Sequence, residues 1–322
     1  MMMKYVVSLL MILLSLCSYS AAPVHINEVV VFGDSLSDNG NLYEYMDHQL
    51  PMSPPYYAGR FTNGPVWVEL MLDKAYPLNA QSHLLDYAYG GAGIDVNEDN
   101  KTDDEDEGFS FHVQVKNYLS AHQNTASPNS LYVVWIGSNN YFNLPDNQDE
   151  SVQAVVDGIY KNVVNLIKHG VKHLMILNVP NLSRIPAAIE YEAVNELGYM
   201  SLEHNRLLKI MIAQLQKDYP DVDFIDYDVT KVMDDIIDHP DHYGFTNATA
   251  TCSDLEYGEN VTQNRLISKS LFLSAINQKA TTIDDTCDGY LFFDLYHPTE
   301  HAHVIIADEL YNLLKEHHIV FN

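Results

Sequence analysis

Basic side chains are scarce in this chain of 322 residues: 17 Lys and Arg face 44 Asp and Glu, for a formal net charge of -27. So acidic a surface argues against nucleic acid as a partner and against electrostatic docking on anionic lipid, since both need positive charge. Long apolar runs are also rare, and beyond the N-terminus no segment is apolar for long enough to cross a bilayer. Only 3 cysteines are present, and no internal repeat stands out. The stretch 95–107 holds eight Asp or Glu against one Lys but lacks the Asp-x-Asp-x-Asp-Gly spacing of a calcium loop. It reads as a solvated surface excursion.

What the chain does have is 47% hydrophobic residues, enough to bury a sizeable core. Residues 1–22 carry Lys4, an apolar run from Val6 to Leu16, and a small polar end from Ser18 to Ala22. This is the form of a cleavable secretory signal, too short for a membrane span. Cys17 stands where a lipid-anchored protein would carry its modified cysteine, but the bulky Leu16 before it favours a cleaved, soluble export product, secreted or periplasmic in transit. Cleavage leaves Cys252 and Cys287. In an oxidising compartment an even pair suggests one disulfide, the alternative being two buried free thiols.

Apolar runs over 29–32, 84–89, 131–136, 173–179 and 222–227 read as strands. Helical periodicity fills 66–74, 109–122, 151–169, 187–217 and 299–317 between and after them. Such alternation predicts an α/β fold with three layers, α/β/α, around a mostly parallel central sheet. Residues 23–322 are expected to form one domain. Between 239 and 289 the pattern lapses, with only a weak helical patch over 266–276, before a short strand at 290–293.

The first strand ends in Gly33-Asp34-Ser35-Leu36. In open α/β sheets ligands bind at the carboxyl edge of the strands, so a serine there presents its hydroxyl where a helix N-terminus or free amide favours negative charge. Two further strands end in Gly90-Gly91-Ala92-Gly93 and Gly137-Ser138-Asn139-Asn140, and Asp294-Leu295-Tyr296-His297-Pro298 opens the last helix. Acyl transfer needs a nucleophile, a base, an acid that orients the base, and donors for an oxyanion, and these four segments contain them. Asp294 and His297 are three apart, so one short turn brings carboxylate to imidazole, and Pro298 keeps His297 outside the helix. Tyr43, Tyr45, Tyr56 and Tyr57, in the aromatic connection 39–62, are candidates for a substrate wall.

In order and approximate spacing these four blocks resemble those of the GDSL or SGNH hydrolase family. Arg60-Phe61-Thr62-Asn63-Gly64-Pro65-Val66-Trp67 is similar to the branch containing secreted bacterial lysophospholipases, phospholipases A and glycerophospholipid:cholesterol acyltransferases. The resemblance implies an SGNH hydrolase-like fold, Ser35 as nucleophile, His297 as base and Asp294 as orienting acid. It also implies an oxyanion hole from the Ser35 amide, the Gly91 amide and the Asn139 side chain, with no metal or cofactor. Asn140 departs from the family, which often has Asp there. The implied substrate is a lysophospholipid or phospholipid at a membrane or micelle surface, with acyl transfer to an alcohol such as a sterol as a further outcome. The loop 252–287 lies just before Asp294, so a lid opened by an activating protease is also expected.

Three other readings compete. A carbohydrate or aryl esterase would use the same machinery. A secreted binding protein would keep the fold without turnover, and a metal hydrolase would employ His297, His301 and His303. Pro298 and the absence of a glutamate after the first histidine weigh against the last.

Overall fold

The computed structural model describes residues 23–96, 108–255, 280–283 and 287–322. The expected signal segment 1–22, residues 97–107 of the acidic excursion and the helical patch 266–276 lie outside them. In chain order the strands are β1 (Val24–Ile26), β2 (Glu28–Gly33), β3 (Leu84–Asp86), β4 (Ser130–Trp135), β5 (His173–Leu177), β6 (Asp223–Tyr227), β7 (Asn247–Thr251), β8 (Ser253–Leu255), β9 (Ala280–Ile283), β10 (Tyr290–Phe292) and β11 (Ile319–Phe321). The helices are α1 (Asn41–Tyr45), α2 (Trp67–Ala75), α3 (Phe111–Ala121), α4 (Gln148–Lys168), α5 (Pro186–Glu190), α6 (Val194–Asp218), α7 (Val229–Asp238) and α8 (Glu300–Glu316).

Five strands form the central sheet in the order β3-β2-β4-β5-β6, every neighbouring pair parallel. All six residues of β4 are buried, as are five of the six in β2, which is why their sequences read as unbroken apolar runs rather than alternations. Right-handed crossovers put helices on opposite faces when the chain reverses direction across a sheet. Accordingly α2 and α8 pack together in one layer, whereas α3, α4 and α6 pack in succession in the other. The fold is thus the expected three-layer α/β/α arrangement.

Chain direction reverses at β2, which leads to β3 on one side and lies beside β4 on the other. The crevice outside the carboxyl ends of these strands is the switch point where such sheets bind ligands. Ser35 follows β2 and Asn139 follows β4, so both border it.

One expectation needs correction, and two features add to the sequence reading. The helix expected over 187–217 is two helices, because Glu192 adopts a left-handed φ of 53° and Ala193 N–H bonds back to the Ala188 carbonyl, ending α5 before α6 starts. The strand near 290 does not join the central sheet. It pairs in parallel with β7, in a separate two-stranded ribbon. Helix α7 was not foreseen, although Val229, Val232, Met233 and Ile236 follow a helical period and are its buried face.

Candidate active site

The turn after β2 is pinned from below. Gln114 of α3, 1% exposed, accepts from the Gly33 N–H at 2.9 Å and donates back to the Gly33 carbonyl at 2.8 Å. A buried primary amide is satisfied only by such two-way partners. Ser35 then emerges at the sheet edge, and its N–H donates to no protein acceptor among the described residues.

Across the cleft, Asp294-Leu295-Tyr296-His297 forms a tight turn ahead of α8. The Asp294 carboxylate accepts from the backbone N–H groups of Tyr296 at 2.7 Å and His297 at 2.8 Å. His297 Nδ1 lies 2.7 Å from Asp294 Oδ2 and 2.9 Å from Oδ1. Because a carboxylate only accepts, Nδ1 carries the proton and Nε2 turns its lone pair outward. Nε2 is 2.7 Å from Ser35 Oγ. Ser35, His297 and Asp294, distant in sequence, therefore form one hydrogen-bonded row, each no more than 5% exposed.

Burial alone would push the Asp294 carboxyl up. The adjoining His297 ring, the hydrogen bonds from His297 and Tyr56, and the Tyr296 N–H outweigh it and hold the group below its ordinary value. Two neighbouring carboxyls behave oppositely. Asp34 is pushed up to about 7 by burial, against the N–H of Leu36 and the positive charge of His297. Asp38 is pushed up to about 6 by burial, against N–H groups of Gly90, Gly40, Leu42 and Asn41.

Asp38 also separates the two glycines that follow β3. Its Oδ2 takes the Gly90 N–H at 2.7 Å, so that amide is committed, whereas the Gly91 N–H donates to no protein acceptor among the described residues. Gly90 could carry no side chain, since a Cβ would lie 2.4 Å from the Phe61 ring. After β4, Gly137 turns with a φ of +126° that L side chains rarely adopt. Asn139 Nδ2 donates to the Ala92 carbonyl at 2.8 Å, leaving its second hydrogen for another acceptor. Asn140 donates to the Ile94 carbonyl at 2.8 Å and accepts from the Ile94 N–H at 2.9 Å. An aspartate could make only one of these bonds, which gives the departure at this position a physical reason.

Ser35, Asn139 and His297 border an open cleft. Its deeper walls are mostly apolar and include Leu182, Ile185, Val229, Met233 and Ile306. None of the four tyrosines expected to form a substrate wall lines it. Tyr45 is 65% and Tyr57 46% exposed, Tyr43 stacks on His48, and Tyr56 is buried with its hydroxyl 2.6 Å from Asp294 Oδ2.

Residues 60–67 hold the turn that carries His297. Thr62 Oγ1 donates to the Pro298 carbonyl at 2.8 Å, and Asn63 Oδ1 accepts the Glu300 N–H at 2.8 Å, capping α8. Arg60 forms a two-pronged ion pair with Glu69, at 3.1 and 2.5 Å. His303, held down to about 3 by burial and the nearby His297 charge, accepts the Trp67 N–H at 3.2 Å. His301 packs on the Phe245 ring instead. The three histidines thus face different partners, and among the described residues no metal-ligating trio converges.

Beside this turn Cys252 and Cys287 are joined by a disulfide, Cα atoms 5.5 Å apart. The Cys252 N–H bonds the Phe292 carbonyl and the Ser253 N–H the Phe293 carbonyl, so the bridge flanks the ribbon leading into Asp294. The span it closes is largely outside the described residues, and with it the expected lid.

The chain is similar to several known proteins. Phosphatidylcholine-sterol acyltransferase of Aeromonas hydrophila is 26% identical over 88% of this chain and 88% of its own length. Secreted effector protein SseJ of Salmonella typhimurium is 28% identical over 91% of this chain and thermolabile hemolysin of Vibrio parahaemolyticus 24% over 89%, although the match spans only 65% and 64% of those two proteins. Among solved structures, a carbohydrate acetylesterase from Sinorhizobium meliloti aligns with 64% of this chain and 85% of its own at a TM-score of 0.38 and 15% identity. The family model of GDSL-like lipases and acylhydrolases matches residues 29–310, and the chain belongs to that family.

Proposed function

We propose that this protein is a secreted serine esterase that cleaves acyl esters of lysophospholipids or phospholipids at a membrane or micelle surface and passes the acyl group to water or to an alcohol such as a sterol. Segment 1–22 would direct its export. The observation that carries the reading is the mostly apolar cleft that Ser35 and His297 border and that Val229 and Met233 of α7 and Ile306 of α8 line, since an acyl chain held there would bring its ester carbonyl to the hydroxyl. The acyltransferase from Aeromonas hydrophila, similar over most of its length, supports the same substrate class.

In this reading His297 Nε2 takes the proton of Ser35 as Oγ attacks the ester carbon, and Asp294 stabilises the imidazolium. The tetrahedral oxygen receives the N–H groups of Ser35 and Gly91 and the free hydrogen of Asn139. His297 then returns its proton to the leaving alkoxide, giving an acyl-serine. Water or an acceptor alcohol, deprotonated by the same imidazole, attacks that ester and regenerates Ser35.

Product analysis with lysophospholipid, diacyl phospholipid and an acetylated sugar, each with and without sterol, tests the proposal. Fatty acid release from the lipids, with sterol ester when sterol is present, is the expected result. Cleavage of the acetylated sugar alone would favour the carbohydrate esterase, and no turnover of any ester would favour a binding protein.

A further inference from the structure

Asp294 takes three of its hydrogen bonds from its own turn: the N–H groups of Tyr296 and His297 and the His297 ring. Its fourth donor comes from 238 residues away. The Tyr56 hydroxyl lies 2.6 Å from Asp294 Oδ2, the same oxygen that His297 Nδ1 approaches at 2.7 Å. The Tyr56 ring is 3% exposed and held edge-on against Phe61 and Phe293, at 5.9 and 5.1 Å between centroids, which fixes where its hydroxyl points. Phe61 in turn lies 5.3 Å from the His297 ring.

We propose that Tyr56 is a positioning residue for the reaction: its hydroxyl anchors the Asp294 carboxylate to the segment 51–63 and, by sharing Oδ2 with His297, sets how strongly that carboxylate favours the imidazolium. The inference rests on the assignment of Ser35, His297 and Asp294 given above. Two donors on one carboxylate oxygen each receive less of its negative charge than one would. Removing the tyrosine hydroxyl makes Oδ2 a stronger partner for protonated His297, so the base stays protonated to a higher pH. It also frees the carboxylate from its only tie to the opposite wall among the described side chains.

The other titratable groups facing this pair are Asp34 from the turn after β2, His303 from α8, and Tyr296 from the same turn with Tyr191 behind it. All of them stay in place in Tyr56→Phe, so the difference between variant and parent isolates the hydroxyl.

The test is the pH dependence of kcat and KM for Tyr56→Phe with a soluble short-chain p-nitrophenyl ester, alongside thermal unfolding and a Ser35→Ala control. The expected result is a kcat lower by about 5- to 20-fold, KM within about twofold, and an acid limb displaced upward by about half a pH unit. Placing 3-fluorotyrosine at position 56 keeps the ring and strengthens the donor, and displaces the limb downward. A folded Tyr56→Phe with parental kcat and acid limb, or a loss confined to KM, would overturn the proposal. So would an unmoved limb in the fluorotyrosine protein, should Tyr56→Phe fail to fold. Turnover retained in Ser35→Ala overturns the assignment of the nucleophile itself, whereas an inactive Ser35→Ala beside an unaltered Tyr56→Phe overturns the tyrosine alone.

Discussion

The turn bearing Ser35 and the turn bearing Asp294 and His297 meet in one site but are held by different means. Ser35 leaves the middle of the five-stranded sheet, where β2 is bonded on both sides and buried, and Gln114 clamps the residue before the turn. Asp294 follows a strand of three residues that, among the described strands, pairs with β7 outside that sheet. The buried Leu291, Phe292 and Phe293 hold it to the core, and a disulfide beside the ribbon, the cap from Asn63 and the hydrogen bonds from Thr62 and Tyr56 add to that hold. With 35 positions between its cysteines, the disulfide stabilises the fold by about 3 to 4 kcal/mol through loop entropy. The nucleophile is thus placed by a strand paired on both sides within the central sheet, and the base by a short ribbon outside it with a few separable side-chain contacts. Perturbing the second set should alter catalysis before it alters folding.

The largest separation of the two turns comes from Asp294→Asn, which keeps the shape but presents the wrong tautomer of His297. A drop in kcat of about 10⁴-fold is expected in steady-state ester hydrolysis by the folded variant. Asn139→Ala removes one oxyanion donor on the nucleophile side, and kcat should fall by about 10²- to 10³-fold with KM little changed.

The contrast between the anchors is sharper still. Thr62→Val with Asn63→Ala loosens the histidine turn and should lower kcat by about tenfold while stability changes by about 1 kcal/mol or so. Gln114→Leu orphans the buried Gly33 N–H, while the Gly33 carbonyl keeps the Tyr89 N–H, and should cost about 2 to 3 kcal/mol in denaturant unfolding while the folded fraction keeps most of its activity. The opposite pattern would mean that the two turns are held alike.

The smallest effect concerns pH. Asp34 and Asp38 have folded values raised to about 7 and about 6, so the stability they contribute is full below the ordinary carboxylate value and is lost as pH rises through 6 and 7. Asp294, held low, works the other way: its contribution is present above the ordinary value and is lost only as pH falls through its depressed one. Between pH 5 and 8 the contribution of this pair, with that of the likewise raised Asp86, declines as pH rises, whereas the buried His204 and His303, held down to about 3, contribute stability that is lost as pH falls through the ordinary histidine range. Asp34→Asn, which can still accept the Leu36 N–H, should flatten that decline in a calorimetric pH series.

How much of this was legible differs between the two turns as well. The strands around 29–33, 131–136 and 173–177 announce themselves as unbroken apolar runs because both faces of a parallel sheet are covered. With them came the sheet edge and the place of Ser35. The residues that proved to meet at the site, His297 and Asp294, were legible from their three-residue spacing and family resemblance, but their supports were not. The β7 sequence, Asn-Ala-Thr-Ala-Thr, has only small Ala as its apolar residues, a weak strand signal, and its partner lies some forty residues on. Tyr56 is one tyrosine among 22, and no local pattern says that it will reach Asp294 across 238 positions. The break at Glu192 has neither glycine nor proline to mark it. Helix α7, which lines the cleft with Val229 and Met233, carries a helical period over only ten residues, four of them buried.

The most direct measurement is covalent labelling with a fluorophosphonate, followed by intact mass and peptide mapping, in the parent protein and in His297→Ala. A single adduct on Ser35, formed orders of magnitude more slowly in His297→Ala, is the predicted outcome. An adduct on any other residue, or labelling of Ser35 at an unchanged rate without the imidazole, would contradict it.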